Sequence, residues 1–219
     1  DNVRNINGCA LAGLTPDEWL DASPVVFELN RIIVGADGNP EFANLPRKFN
    51  VTVTGCRANC THNESQDIAL VPARRGARAG LNILAGGKMG SGGFTIAQPL
   101  DVFAEPAEAA EVTAELVRIF RDHGPREARS KCRLAHLIED WGIEELRYVL
   151  GERLMRDLEP AGEDMRARGH PADHLGVQPQ KQTGLCSVGL AVVTGRTSAG
   201  QVAELARLSD VYGTGRVRL

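Results

Sequence analysis

The sequence predicts an α+β fold: a mixed or antiparallel sheet with covering helices, followed by a partial second unit. Three observations carry this. Short β-patterned runs cluster before residue 100, helical periodicity dominates from about 105 to 158, and a polar Pro- and Gly-rich stretch at 159–182 separates that body from residues 183–219. With 219 residues, 42% of them hydrophobic, the chain can bury a real core.

The elements follow in order. Thr15-Pro-Asp-Glu18 has the form of a helix start, with Thr15 as cap and Glu18 closing a capping box. A second start at Ser23-Pro24 leads an apolar stripe through Val25, Val26, Leu29, Ile32 and Ile33, which Gly35 stops. Residues 50–54 alternate polar and apolar as a half-buried strand does, and 67–73 and 80–85 read as neighbouring strands. Residues 94–100 read as mixed coil. Helices are predicted over 105–123, 127–137 and 143–158, broken at Gly124-Pro125 and Gly142. After the linker, 185–194 is a strand pattern, Ser198 caps a helix running to Tyr212, Gly213 ends it, and 216–219 begins another strand. That is half of a split βαβ unit.

A net charge of -3 and a pI near 6.0 give no global sign of nucleic-acid binding, and the clusters Arg74-Arg75-Gly-Ala-Arg78 and 126–133 read as solvated faces. No window is apolar enough to span a membrane and the first residues lack a signal-peptide pattern, so the expected location is cytoplasmic. The absence of an initiator Met marks the chain as an expected fragment. Five cysteines, an odd number in a chain of this size, favour free thiols or metal ligands over a disulfide framework.

Three segments carry candidate chemistry. In Asn44-Leu-Pro-Arg-Lys-Phe-Asn50 a proline-stiffened turn holds Arg47 and Lys48 beside an amide, which suits a small anion or a cofactor carboxylate. Gly86 to Gly93 has five glycines in eight residues, open either to close approach of a ligand or to a hairpin connection, and it matches neither common nucleotide-binding pattern. Cys56-x-x-x-Cys60 has a spacing found among iron–sulfur ligands, with Cys9 as a third thiol. Two small buried thiols are the other reading. Cys132 is expected within a helix and Cys186 in the second unit. The five histidines, His62, His123, His136, His170 and His174, show no ligand spacing and read as surface or satisfied groups.

Taken together, Asp1-Asn-Val-Arg-Asn-Ile-Asn-Gly-Cys9, residues 44–50, Asp67-Ile-Ala-Leu, Leu81-Asn-Ile-Leu-Ala-Gly-Gly-Lys-Met-Gly90 and Gly176-Val-Gln-Pro-Gln-Lys-Gln-Thr-Gly184 resemble, in order, motifs of the siroheme-containing nitrite and sulfite reductase family. The resemblance implies a siroheme-type hemoprotein half at 1–158, a linker at 159–182 and most of a ferredoxin-like half-domain at 183–219, with a preceding and a final unit missing. It implies assimilatory six-electron reduction of nitrite, or of sulfite, in a monomeric full-length enzyme fed by ferredoxin through a [4Fe-4S] cluster. As a fragment the chain is expected to be inactive.

By position, Arg4 and Lys48 are similar to the family's substrate-side cations, and Asn50 stands where sulfite reducers carry a second lysine. An amide there suits the less charged nitrite. Arg47 and Asn5 would face the siroheme, against whose ring Gly86, Gly87 and Met89 would lie. The resemblance puts the cluster ligands beyond residue 219. Thr54-Gly-Cys-Arg-Ala-Asn-Cys60 is similar to the cluster motif of the other half, so Cys56 and Cys60 read as a relic of duplication, as ordinary thiols or as a metal site. The relic is the favoured reading.

Overall fold

The computed structural model describes residues 1–90, 93–167 and 173–218, in two compact units, 1–172 and 173–219. Ser91, Gly92, Arg168, Gly169, His170, Pro171, Ala172 and Leu219 lie outside the described residues, with whatever the sequence predicts for them.

The first unit is built on a mixed sheet whose central path runs β1 (Val3–Gly8), β2 (Phe49–Val53), β3 (Ile68–Arg75), β4 (Arg78–Ala85) and β5 (Gln98–Ala104). The β1–β2 and β2–β3 pairs are parallel, and β3–β4 and β4–β5 antiparallel. The parallel β1–β2 pair is joined through helix α1 (Ser23–Ile33), as a parallel crossover requires. Gly76, at φ +61°, turns the tight β3–β4 hairpin, in which Arg75 pairs with Arg78.

Helices α2 (Ala109–His123), α3 (Leu134–Trp141) and α4 (Ile143–Leu154) complete the layer that, with α1, buries one main core. Its largest side chains are Phe42, Phe49 and Phe120, the last two stacked with ring centres 5.2 Å apart. A smaller cluster of Ala69, Val71, Leu84 and Ala97 forms apart from it. Because β3 is covered on both sides, its first six residues are all buried.

Several sequence expectations give way here. Thr15–Glu18 starts no helix: the Glu18 carboxylate accepts from the Gly13 amide, Glu18 forms a bridge with Cys56, and the Trp19 amide donates to Gly55 O, so donors a helix would use are taken by tertiary contacts. β2 is not half-buried, since Thr52 and Thr54 are as fully enclosed as Val51 and Val53. Residues 98–104 are a strand, despite Pro99. The helix expected over 127–137 starts only at Leu134, so Cys132 follows a short 3-10 turn (Arg129–Lys131) and is not helical. The basic 74–78 hairpin is a solvated face, paired with Glu159, Glu163 and Glu105.

Residues 159–182 are divided between the units. A two-residue strand, β6 (Glu163–Asp164), pairs with β3 at Ala73 and Arg74, while β7 (Gly176–Pro179) belongs to the second unit. There β7 pairs antiparallel with β8 (Cys186–Gly189), shorter than the predicted 185–194. Helix α5 (Ala199–Tyr212) follows, capped by Ser198, whose hydroxyl accepts from Gln201 N while the Gln201 side chain accepts from Ser198 N. Residues 216–218 form no strand. Among the described residues no helix is long and apolar enough to cross a membrane.

Candidate functional site

Leu45 and Phe49 pin the 44–50 turn. Both side chains are buried, and their amides donate to Asp1 O and Asn2 O. The residues between them, Pro46, Arg47 and Lys48, are left at the partly exposed rim. Beside them β1 carries an irregularity: Val3 is opposite Phe49 and Asn5 opposite Asn50, so Arg4 is an extra residue in the ladder. A bulge of this kind re-aims a side chain. Arg4 lies close enough to Lys48 to act on its charge.

Burial and the positive charges of Arg133, Arg4 and Arg47 hold the Lys48 ammonium below the ordinary lysine value, with Asp67 opposing them. Neither Arg4 nor Lys48 has a hydrogen-bond or ion-pair partner among the described residues. Among the described residues Arg47 reaches only Asp1, at 3.7 Å. Asn50 donates its backbone N–H to Asp67 Oδ2 at 2.9 Å, while its side-chain Oδ1 is buried without a partner.

The residue organising this corner is Asp67, which the sequence places at the head of a motif without giving it a role in the site. It is fully buried. Arg133 grips it with two bonds, Nε to Oδ1 at 2.9 Å and Nη2 to Oδ2 at 2.7 Å, and its carbonyl accepts the Gly86 amide at 2.8 Å. Burial pushes the Asp67 carboxyl up, while Arg133, the Asn50 amide and Lys48 pull it down.

From Arg133 the network continues to α3. The Arg133 amide donates to His136 Nδ1, and His136 Nε2 lies 3.0 Å from Lys88 Nζ in the glycine loop. Burial and the Lys88 charge hold His136 below its ordinary value. His136 is therefore a satisfied histidine, inside the site network. The loop itself is a hairpin connection, Lys88 and Thr95 exchanging backbone bonds.

Two glycines of the loop have internal reasons to be glycine. Gly86 sits at φ +89°, and a Cβ there would meet Ile138 Cδ1 at 2.8 Å; a Cβ at Gly87 would meet the carbonyls of Glu64 and Gln66 at 2.4 Å. Met89 is exposed. The structure thus brings together Arg4, Asn5, Arg47, Lys48 and Asn50, and links Gly86 to them through Asp67. A concavity of about 460 Å³ lined by Arg147, Tyr148, Met155 and Leu158 shares no residue with this corner.

At the other end of the parallel pair lies a group of thiols. Cys9 follows β1 and Cys56 follows β2, so both sit at strand carboxyl ends, with Cys60 in the next turn. Cys9 and Cys56 are buried and Cys60 partly so. The Sγ atoms of Cys9 and Cys60 are within 4.8 Å. A hydrogen bond from Cys9 is the main cause that lowers the Cys60 thiol to about 7. Cys9 stands above its ordinary value: contact with Cys56 pulls it down, but Cys60 and burial outweigh that. Cys132 is elsewhere, its Sγ donating to Arg129 O.

Comparison with known proteins gives a consistent result. The family model described as "Nitrite and sulphite reductase 4Fe-4S domain" matches residues 1–158, and that of the "Nitrite/Sulfite reductase ferredoxin-like half domain" matches 178–219. The ferredoxin–nitrite reductase of Synechococcus elongatus is 41% identical over all of this chain and 43% of its own length. The assimilatory ferredoxin-dependent nitrite reductase of Haloferax mediterranei is 39% identical over all of this chain and 39% of its own. The solved structure of the Mycobacterium tuberculosis NirA protein superposes with a TM-score of 0.84 at 34% identity, over 95% of this chain and 38% of that one. The chain therefore spans less than half the length of these relatives.

Two outcomes are expected. Asp67→Asn leaves the Arg133 guanidinium buried without its counter-charge and should cost about 3–5 kcal/mol in denaturant unfolding; a loss under about 1 kcal/mol would show that the pair is dispensable. Alkylation of Cys60 by iodoacetamide, followed by peptide mass spectrometry, should rise with pH about a midpoint near 7. In Cys9→Ala that midpoint should move up, because the donor that stabilises the thiolate is gone.

Proposed function

The chain belongs to the nitrite and sulphite reductase family, and on that premise we propose that it is the anion-binding part of an assimilatory enzyme reducing nitrite to ammonia with electrons from ferredoxin. The observation that carries this reading is the pair of cations, Arg4 and Lys48, whose side chains have no partner among the described residues, gathered by a strand bulge and a pinned turn beside Asn50.

Cations so close repel one another, and here the counter-charge of Asp67 is already taken by Arg133. A bound anion relieves that repulsion. Lys48, with its affinity for a proton lowered, binds the anion's charge and is able to pass a proton to an oxygen that must leave as water. Arg4, a permanent cation, holds charge without giving up a proton. Asn50 adds an amide where a further cation would favour a more highly charged oxyanion, which is the reason for preferring nitrite to sulfite.

The same corner suits a polycarboxylate macrocycle. Arg47 and Asn5 are at the rim to meet its carboxylates. Gly86 and Gly87, whose Cβ directions face Ile138 and the carbonyls of Glu64 and Gln66, form the buried base of the loop, and Met89 is exposed beside them. When bound, siroheme supplies the redox-active iron and a [4Fe-4S] cluster the electron relay. The reading carries with it a role in nitrate assimilation, a cytoplasmic setting and a monomeric full-length enzyme.

The full-length enzyme tests it. Lys48→Met should lower kcat/KM for nitrite by about 10²–10³-fold, the usual cost of one preorganised charge-stabilising donor, with siroheme content unchanged; wild-type turnover would remove Lys48 from the site. Asn50→Lys should raise sulfite turnover relative to nitrite. An unchanged ratio would leave the preference for nitrite without its structural support.

A further inference from the structure

The thiol group at the carboxyl ends of β1 and β2 lies outside the anion corner, and the proposed reaction makes no use of it. Three sulfurs, from Cys9, Cys56 and Cys60, are drawn together from three separate points of the chain. Cys9 is in hydrogen-bond contact with both other thiols, and its Sγ is within 4.8 Å of that of Cys60. Backbone amides point at two of the sulfurs: Leu11 N donates to Cys9 Sγ and Ala58 N to Cys56 Sγ, each at 3.4 Å and each from two residues downstream. Amides aimed at sulfur favour the thiolate form, the form that binds metals.

We propose that Cys9, Cys56 and Cys60 form a site for one thiophilic divalent ion, Zn²⁺ in the first place, bound by three thiolates with a fourth position open. The spacing selects a single ion over a cluster. A tetrahedral zinc with bonds of about 2.3 Å holds its sulfurs about 3.8 Å apart; Cys9 Sγ already lies within 4.8 Å of Cys60 Sγ and in hydrogen-bond contact with Cys56. Thiolates bound to different irons of a cluster must stand farther apart, and within the first unit the remaining cysteine, Cys132, is committed to Arg129 O. The site therefore differs in position and in nuclearity from the electron-relay cluster, and its loss need not affect nitrite turnover.

Metal retention by the full-length protein tests this. After incubation with one equivalent of Zn²⁺ and desalting into metal-free buffer, mass-spectrometric metal analysis should find about one zinc per chain. That zinc should fall to background in Cys9→Ser and in Cys60→Ser, and persist in Cys132→Ser. In the unmutated protein, where folding is not in question, added Zn²⁺ should slow alkylation of Cys9, Cys56 and Cys60 by at least about tenfold, and leave the exposed Cys186 unaffected. Three results overturn the proposal: no retained zinc, zinc retained undiminished in Cys9→Ser and Cys60→Ser, or loss of iron and sulfide in these variants in place of zinc.

Discussion

The buried pair of Asp67 and Arg133 is the constraint on which the candidate site depends. It joins the start of β3 to the start of α3, and each partner also spends its backbone on the same corner: Asp67 O takes the Gly86 amide, and the Arg133 amide goes to His136. Removing both charges from water is costly, and the geometry must return that cost through its two aligned bonds and the further bond from Asn50. The arrangement fixes β2, the glycine loop and α3 against one another. The cations at the rim then sit on a rigid base, and a ligand meets a shape already formed.

The pair also decides which charges are left for a ligand. Arg133 contributes positive potential at Lys48, yet its own hydrogen-bonding capacity is directed at Asp67. Arg4 and Lys48 have no such partner among the described residues. The outcome is a cationic rim resting on a nearly neutral buried pair. By contrast, the arginines of the 74–78 hairpin face glutamates across solvent, and surface pairs of that kind contribute little and attract no ligand.

Much of this was legible in the sequence, for reasons that can be named. The stripe of α1 and the Ser198 cap of α5 are local patterns whose physics closes within a few residues, and both are present. The box at Thr15–Glu18 is equally well formed as a pattern and fails because tertiary acceptors and donors compete for the same groups. Thr52 and Thr54 mimic a solvated strand face, but both are fully enclosed, and among the described residues their hydroxyls have no partner. Pro99 masked β5. In the site, the turn at 44–50 announced itself, whereas Asp67, Arg133 and His136 did not: a long-range ion pair leaves no spacing in the chain. Gly86 and Gly87 were visible for the right property, and the structure gives them an internal cause, a left-handed backbone at one and carbonyl contact at the other.

Cys9 shows how topology completes what spacing cannot. Cys56 and Cys60 are a recognisable pair, but nothing local links them to a cysteine more than forty positions upstream. The parallel register of β1 with β2, Gly8 beside Val53, sets Cys9 next to the turn that carries the other two. The same two strands hold Arg4, Lys48 and Asn50 at their opposite ends. Five residue steps along the strand separate Arg4 from Cys9, a span of about 16 Å, longer than any side chain bridges. An anion on Lys48 and a metal on the thiols would therefore share a scaffold without touching. Any influence of one upon the other has to pass through the β1–β2 ladder, whose one irregularity is the bulge at Arg4.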